Sequence, residues 1–479
     1  MSAIVFPPPD LRVIADRTAI VAGLLAILGP GGVISTEAER RVYETDALTA
    51  YRVVPLAVVL PASTEEVVAV LKFLSSLRVK VVARGAGTSL SGGALPSEDC
   101  VVVGLARLNR ILAIDYDNRV ARVEAGVTNI NITNAVAAEG FFYAPDPSSQ
   151  LACTIAGNIA MNSGGAHCLK YGVTTNNVLG VRMVLIDGTV VDIGGSALDA
   201  AGLDLLGLVI GSEGQLGIVT EATVRILRAA EGARPMLMGF ASAAEAGACV
   251  AAIIASGIIP VAIEYMDRPA IKVCESFAHA GYPLDVEALL IVEVEGSEAE
   301  IADLIDRITK TAEAFHPLAV RVSRSEAESA AIWKGRKAAF GAMGRIADYL
   351  CMDGVIPTGR LPEVLTRVGE ICAGYGLAVA NIFHAGDGNL HPLILFNANN
   401  PDELQRAETA GADILKLCVE VGGCLTGEHG VGIEKRDLMP FQFSPTELAL
   451  QMQIKSVFDP AWLLNPAKVF PLAGRPAVA

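Results

Sequence analysis

Aromatic residues are scarce in this chain. Phe, Trp and Tyr make up 5 % of 479 residues while hydrophobic residues make up 52 %, so the core has to be built from Ala, Val, Ile and Leu. Positive charge is also short. Lys and Arg number 37 against 52 Asp and Glu, a formal net charge of −15, and no Lys/Arg-rich run offsets it; nucleic acid is a poor partner for such a surface. A local basic pocket can still hold an anionic substrate. The nine cysteines are scattered, with no CxxC and no even framework. That excludes a disulfide scaffold and any recognisable iron–sulfur cluster of the chain's own, and points to a reducing, cytoplasmic compartment. No long uninterrupted apolar run exists. The stretches 19–34 and 246–263 are broken by Gly and Pro and read as helix–turn–strand rather than membrane spans. The N-terminus lacks the charged start and clean apolar run of a signal peptide. The expectation is a protein without a transmembrane segment, in the cytoplasm or held at the inner face of the membrane through a complex.

What is present is a chain long enough for two or more domains. Residues 17–29 read as an amphipathic helix and 53–60 (VVPLAVVL) as a buried strand. Ser63-Thr64-Glu65-Glu66 caps a helix running to about residue 77. VKVVA (79–83) is a strand that feeds directly into a glycine-rich loop, and CVVVGL, ILAIDYD, RVARVEAG, VRMVLIDG and TVVDIGG follow as short strands up to about residue 228. The character changes at 229–235. Beyond it MLMGFAS, an Ala-rich helix at 242–256, VAIEYM, LLIVEVEG and a helix at 297–314 predict an α+β sheet with helices on one face. The expected division is an N-terminal helical segment over 1–50, a cofactor domain over 51–229, a substrate or cap domain over 230–424, and a C-terminal segment over 425–479 that returns to the cofactor domain.

Three loops in the cofactor region stand out. RGAGTSLSGGA (84–94) offers glycines through which backbone N–H groups can approach an anion, with Thr88, Ser89 and Ser91 as hydroxyl donors. It is not a Walker A, and Leu90 stands where GxGxxG needs its third glycine. PDPSSQLACTIAGNIAMNSGG (145–165) and GSEGQLGIVT (211–220) complete the set. Three such segments suit one long ligand laid across loops, and a dinucleotide has that length.

A second constellation lies in the C-terminal half. FHAGDGNLH reads as a hairpin with Gly386–Asn389 as its turn, which puts His384 opposite His391 on one face. GEHG (427–430) follows, with glycines flanking Glu428 and His429. His384, His391 and Glu428 form a two-imidazole, one-carboxylate set for a divalent metal, and spacing leaves Zn, Mn and non-haem Fe(II) open. His429 is then available as a base.

Taken together, RGAGTSLSGG, PDPSSQ, GNIAMNSGG, GSEGQLGI, WKGR, GDGNLH, GEHGVG and DPAWLLNPAKVF resemble the FAD-linked oxidases of the vanillyl-alcohol oxidase / p-cresol methylhydroxylase type. The likeness is closest to bacterial glycolate oxidase flavin subunits and FAD-linked D-lactate dehydrogenases, and it spans residues 84 to 470. The resemblance implies a PCMH-type FAD-binding domain with an α+β cap domain. It places the FAD pyrophosphate on Arg84, Gly85, Ala86, Gly87, Thr88, Ser89 and Gly92. The rest of the cofactor would meet Pro145, Asp146, Ser148, Gly157, Asn158, Asn162, Ile218 and Asn465. Covalent members often carry a histidine where this chain has Thr88, so the FAD is expected to be non-covalent. By the same likeness His384, His391 and Glu428 hold a divalent metal, Zn or Mn, His429 is the base, and Arg336 in WKGRK anchors a substrate carboxylate. No second cationic anchor carries over, because Cys351 precedes the MDG stretch.

The implied activity is oxidation of a small 2-hydroxy acid, glycolate or D-lactate, to the 2-oxo acid. Electrons would leave to a separate acceptor: an iron–sulfur subunit, a cytochrome or a quinone-linked protein. Three alternatives make different demands. A redox-neutral flavin enzyme of the same fold has no use for the metal set, a non-catalytic subunit would be expected to lose GDGNLH and GEHG, and a non-redox metal hydrolase has no use for the three loops.

Overall fold

Strands in this protein form where Val- and Ile-rich runs are bounded by glycine and polar turns, and the number of faces each sheet buries decides whether those runs alternate. The computed structural model describes residues 4–197 and 202–472. They fall into two compact units, Ile4–Gly164 with Val173–Arg228 and the segment from Glu428, and Gly165–Gly172 with Ala229–Gly427.

In the first unit Ala57–Val59, Cys100–Gly104 and Lys80–Arg84 pair in parallel, and Val33–Ile34 adds an antiparallel edge. Both faces of this small sheet are covered. Val59, Val81, Val101 and Val103 enter the main core, while Val58, Val82 and Val102 enter a second cluster. That explains runs of valine without alternation. The strand expected over 53–60 is only Ala57–Val59, because Pro55 has no N–H to give a ladder. The helix Thr64–Ser76 starts where expected. Ser63 Oγ accepts the Glu66 N–H at 3.2 Å and the Glu66 carboxylate accepts from Ala62 N at 2.7 Å, a cap worth about 1 kcal/mol. A five-stranded antiparallel sheet follows, in the order Ile111–Asp115, Val120–Glu124, Ile218–Arg225, Val178–Val184, Val190–Gly194. The C-terminal segment comes back to the parallel sheet: Leu464 bridges Val81, and Asn465 N–H donates to Val81 C=O at 2.7 Å.

The second unit is built on a nine-stranded sheet whose centre is Gly232–Phe240, Ala288–Gly296, Ala262–Asp267 and Ala378–His384, all antiparallel. Its helices cover both faces, not one. Leu237, Ile291 and Met266 pack on Arg268–Ala278 and Glu326–Lys337 through Ile271, Cys274 and Ile332. The alternate residues Met236, Met238, Leu290 and Val292 are just as buried, on the side taken by Ala243–Ala255 and Glu298–Glu313. The continuous apolar run LLIV within LLIVEVEG reports burial on both faces but does not name the helices that supply it. Segment 165–172, which the sequence reading placed within the cofactor domain over 51–229, belongs to this unit. His167 and Tyr171 hydrogen-bond Glu293 and Glu295 on the central strand.

Candidate active site

The glycine-rich loop leaves the strand Lys80–Arg84 as its sequence suggests. Gly87 and Gly92 sit at φ +74° and +76°, which only glycine adopts without strain. A side chain at Gly87 would collide with the guanidinium of Arg84, and one at Gly92 with Ile433. Arg84 is buried and donates to Thr45 C=O at 2.7 Å. Ser89 Oγ accepts the Gly93 N–H at 3.0 Å. Among the described residues the amides of Ala86, Gly87 and Thr88 make no hydrogen bond within the protein. Beside Gly85 lies Thr154, 4 % exposed, whose Oγ1 also has no partner among the described residues. Uncommitted amides with a buried, unspent hydroxyl are the donor set a pyrophosphate requires, so the cradle fits FAD.

The second loop is tied to the rest of its unit by a relay. Asn158 Nδ2 donates to Asn129 Oδ1 and Asn129 Nδ2 to Pro145 C=O, both at 2.8 Å. Gly157 lies one turn from Thr154 on the helix Ile155–Met161. Asn162 ends that helix at φ +52°, and its Oδ1 accepts from Thr175 N at 2.9 Å. Asp146 is half-buried and Ser148 exposed on the preceding turn, while Ile218 opens its strand fully buried. Asn465 is buried, and its Nδ2 donates to Gly93 C=O at 3.1 Å and to Glu213 C=O at 2.6 Å.

In the second unit the histidines come together by a different register from the one expected. His384 pairs with Asn389, and Asn381 with Pro392. The turn is therefore Ala385–Gly388, with Gly388 at φ +78° packed against Ile356 C=O and Asp387 Oδ1 accepting the Asn389 N–H at 3.1 Å. His391 is shifted two residues from the predicted partner position. A shift of two keeps a side chain on the same face, so the two rings still meet, edge-on at 5.2 Å between centroids, both buried.

Each ring is oriented through Nδ1. His384 Nδ1 is 2.7 Å from Glu264 Oε1, and His391 Nδ1 is 3.2 Å from Met352 C=O. A carboxylate and a carbonyl behind the ring are what metal-ligating histidines require, since a proton on Nδ1 turns the Nε2 lone pair outward. The pair fits a divalent metal.

Arg336 shares the same carboxylate. It lies on the helix Glu326–Lys337, started by Ser325, three residues after Trp333, so the two side chains leave one face. Trp333 Nε1 donates to Glu293 at 2.7 Å. Arg336 Nε donates to Glu264 Oε2 at 2.7 Å, with Nη2 2.6 Å from the same oxygen. Glu264 is fully buried. Burial works against its charge, but Arg336 and His384 outweigh that and hold the carboxyl below the usual carboxylate range. The chain then crosses from this unit to the other within GEHG, between Gly427 and Glu428. Asp353 C=O accepts the Gly427 N–H at 2.9 Å, and Thr426 also bonds the Asp353 carboxylate. Glu428 and His429 lie side by side, Oε1 to Nε2 at 3.8 Å.

Two sequence families match: "FAD binding domain" over residues 55–194 and "FAD linked oxidases, C-terminal domain" over residues 230–469. The chain belongs to the FAD-linked oxidase family. Among curated relatives it is 49 % identical to glycolate oxidase subunit GlcD of Escherichia coli K12, covering 96 % of this chain and 92 % of that one. It is 36 % identical to glycolate oxidase subunit GlcD of Bacillus subtilis, over 95 % and 97 %. To D-lactate dehydrogenase of Archaeoglobus fulgidus it is 33 % identical, over 89 % and 94 %. Among solved structures p-cresol methylhydroxylase shares the fold at TM-score 0.79 and 16 % identity, covering 96 % of this chain and 98 % of that one.

Within this FAD-linked oxidase, sequence reasoning missed Glu264 and Glu213. Each had a signal. Glu264 is the lone carboxylate in an apolar strand, VAIEYM, where an unpaired charge would not be tolerated. Glu213 lies inside GSEGQLG, a loop singled out for its glycines.

Proposed function

We propose that this FAD-linked oxidase oxidises a small 2-hydroxy acid, glycolate or D-lactate, to the 2-oxo acid. FAD, on the 84–92 cradle and non-covalent at Thr88, supplies the hydride acceptor. A divalent metal, Zn or Mn, on His384, His391 and Glu428 supplies a Lewis acid that lowers the pKa of the substrate hydroxyl. The observation that carries the reading is the Arg336–Glu264–His384 array, in which one buried carboxylate orients a metal-type histidine and an arginine together. Its likeness to relatives named glycolate oxidase subunit and D-lactate dehydrogenase gives the substrate class.

The residues divide the work. Arg336 presents to the substrate carboxylate the guanidinium edge that Glu264 does not occupy, a charge-assisted contact that fixes the α-carbon. His429 accepts the hydroxyl proton. Glu264 keeps His384 in one tautomer. Electrons pass to a separate acceptor protein, an iron–sulfur subunit, cytochrome or quinone-linked protein; the name "subunit" borne by the relatives supports this. Among the described residues no helix is long and apolar enough to cross a membrane. The proposed place is the cytoplasm, with any membrane association made through that partner. His429→Gln is expected to lower the anaerobic rate of flavin reduction by about 10²–10⁴-fold with FAD still bound. Wild-type reduction by that variant overturns the base assignment.

A further inference from the structure

The loop bearing His429 is held by a buried carboxylate on a distant loop of the same unit. Gly430 and Gly432 sit at φ +80° and +53°. Left-handed glycines on either side of Val431 turn the amides of Val431 and Gly432 toward one point, an anion-binding nest. The group that fills it is the Glu213 carboxyl. Its Oε1 accepts the Val431 N–H at 2.6 Å and its Oε2 the Gly432 N–H at 2.7 Å. No side chain fits at Gly430, where it would meet Glu213 and Met161. Glu213 is 5 % exposed and stands at φ +53° itself. Its own N–H donates to Ala160 C=O at 2.7 Å, and its C=O accepts from Asn465 Nδ2. A non-glycine residue is kept in that region only where its surroundings demand it, most often at functional sites.

The same segment is also gripped by the cofactor loop. Ser91 Oγ donates to His429 C=O at 2.9 Å, and Ser91 C=O accepts the Ile433 and Glu434 amides at 2.9 and 3.2 Å. Lys435 Nζ donates to Gly430 C=O at 2.9 Å. The backbone from His429 to Glu434 is thus held by Glu213 at the Val431 and Gly432 amides, by Ser91 at the His429 C=O and by Lys435 at the Gly430 C=O.

We infer that Glu213, with Ser91, is a positioning residue for His429, registering the base against the cofactor loop. This rests on the base role of His429 proposed above. Glutamine in place of Glu213 keeps one acceptor but turns an NH₂ toward the second amide, so the nest cannot stay closed. A displacement of about 1 Å in a reacting group can cost about 10²-fold.

The test is a stopped-flow double-mutant cycle. Glu213→Gln is expected to slow flavin reduction by about 10–100-fold with FAD content, the flavin spectrum and substrate Kd unchanged. In the His429→Gln background the same change is expected to cost less than about threefold, because its effect passes through His429. Equal losses in both backgrounds, or no loss in the wild type, overturn the inference. Wild-type reduction by His429→Gln alone overturns the base assignment instead. If Glu213→Gln does not retain FAD, Ser91→Ala decides: a several-fold slowing that vanishes in the His429→Gln background supports the inference, and an additive or absent effect overturns it.

Discussion

Replacing Glu264 by Gln removes one negative charge and almost nothing else, and the structure sets what that should cost. The carboxylate is fully buried, takes Arg336 Nε at 2.7 Å and His384 Nδ1 at 2.7 Å, and Arg336 itself is 3 % exposed. Breaking a buried ion pair by neutralising one partner leaves the other charge uncompensated and costs about 3–5 kcal/mol. Gln keeps one acceptor oxygen, so the low end, about 3 kcal/mol, applies. In a unit of about 200 residues each kcal/mol moves Tm by about 2–4 °C. Glu264→Gln should therefore lower the Tm of chelator-treated protein by about 6–12 °C. The same change frees the His384 ring from its orienting carboxylate, so Zn affinity in a competition titration should fall about 10–100-fold. Calorimetry of metal-free protein reads the first effect and the titration the second. A Tm within about 2 °C of wild type together with unchanged Zn affinity would refute the reasoning, because then neither Arg336 nor His384 depends on the carboxylate.

Two further predictions concern other parts of the molecule. Thr154→Val keeps the shape beside Gly85 but removes the buried hydroxyl; it should weaken FAD binding about 10-fold or more by fluorescence titration, and an unchanged Kd would remove Thr154 from the cradle. Asp267 caps the helix Arg268–Ala278 and holds the Asn381 amides, while burial pushes its carboxyl up to about 6. A raised carboxyl stabilises the fold below its ordinary value near 3.8 and loses that contribution as pH rises through about 6. The stability of wild type relative to Asp267→Asn should thus fall by about 3 kcal/mol between pH 4 and 7, read from denaturant midpoints; a difference that grows with pH contradicts it.

Much of the cofactor side was legible because it is local. Gly87 and Gly92 announce left-handed turns, and Ser63 with Glu66 announces a helix start, within a few residues of where each acts. The histidine pair was legible for face but not for register. Glycines and Asp387 signal a turn, yet His384 opposite Asn389 rather than His391 depends on Gly388 packing against Ile356, thirty-two positions away in sequence. Glu264 and Glu213 were not legible in role at all. Arg336 and His384 lie 72 and 120 residues from Glu264, and Val431 lies 218 from Glu213. Periodicity tells that a position is buried; it does not name a partner brought there by the fold. The same limit concealed that residues 165–172 belong with the second unit and that helices cover both faces of its sheet.

The central claim is metal-assisted oxidation of a 2-hydroxy acid by bound FAD. Its most direct test is anaerobic: mix the purified FAD-loaded protein separately with glycolate, D-lactate and L-lactate and follow flavin absorbance at about 450 nm, before and after EDTA treatment and Zn or Mn re-addition. Flavin absorption arises from the cofactor itself, and a metal held there would act as the Lewis acid on the hydroxyl. The account predicts bleaching by glycolate or D-lactate but not L-lactate, lost with EDTA and restored by the metal. Undiminished bleaching after the metal is stripped, or none with any of the three acids in protein holding both FAD and metal, would contradict it.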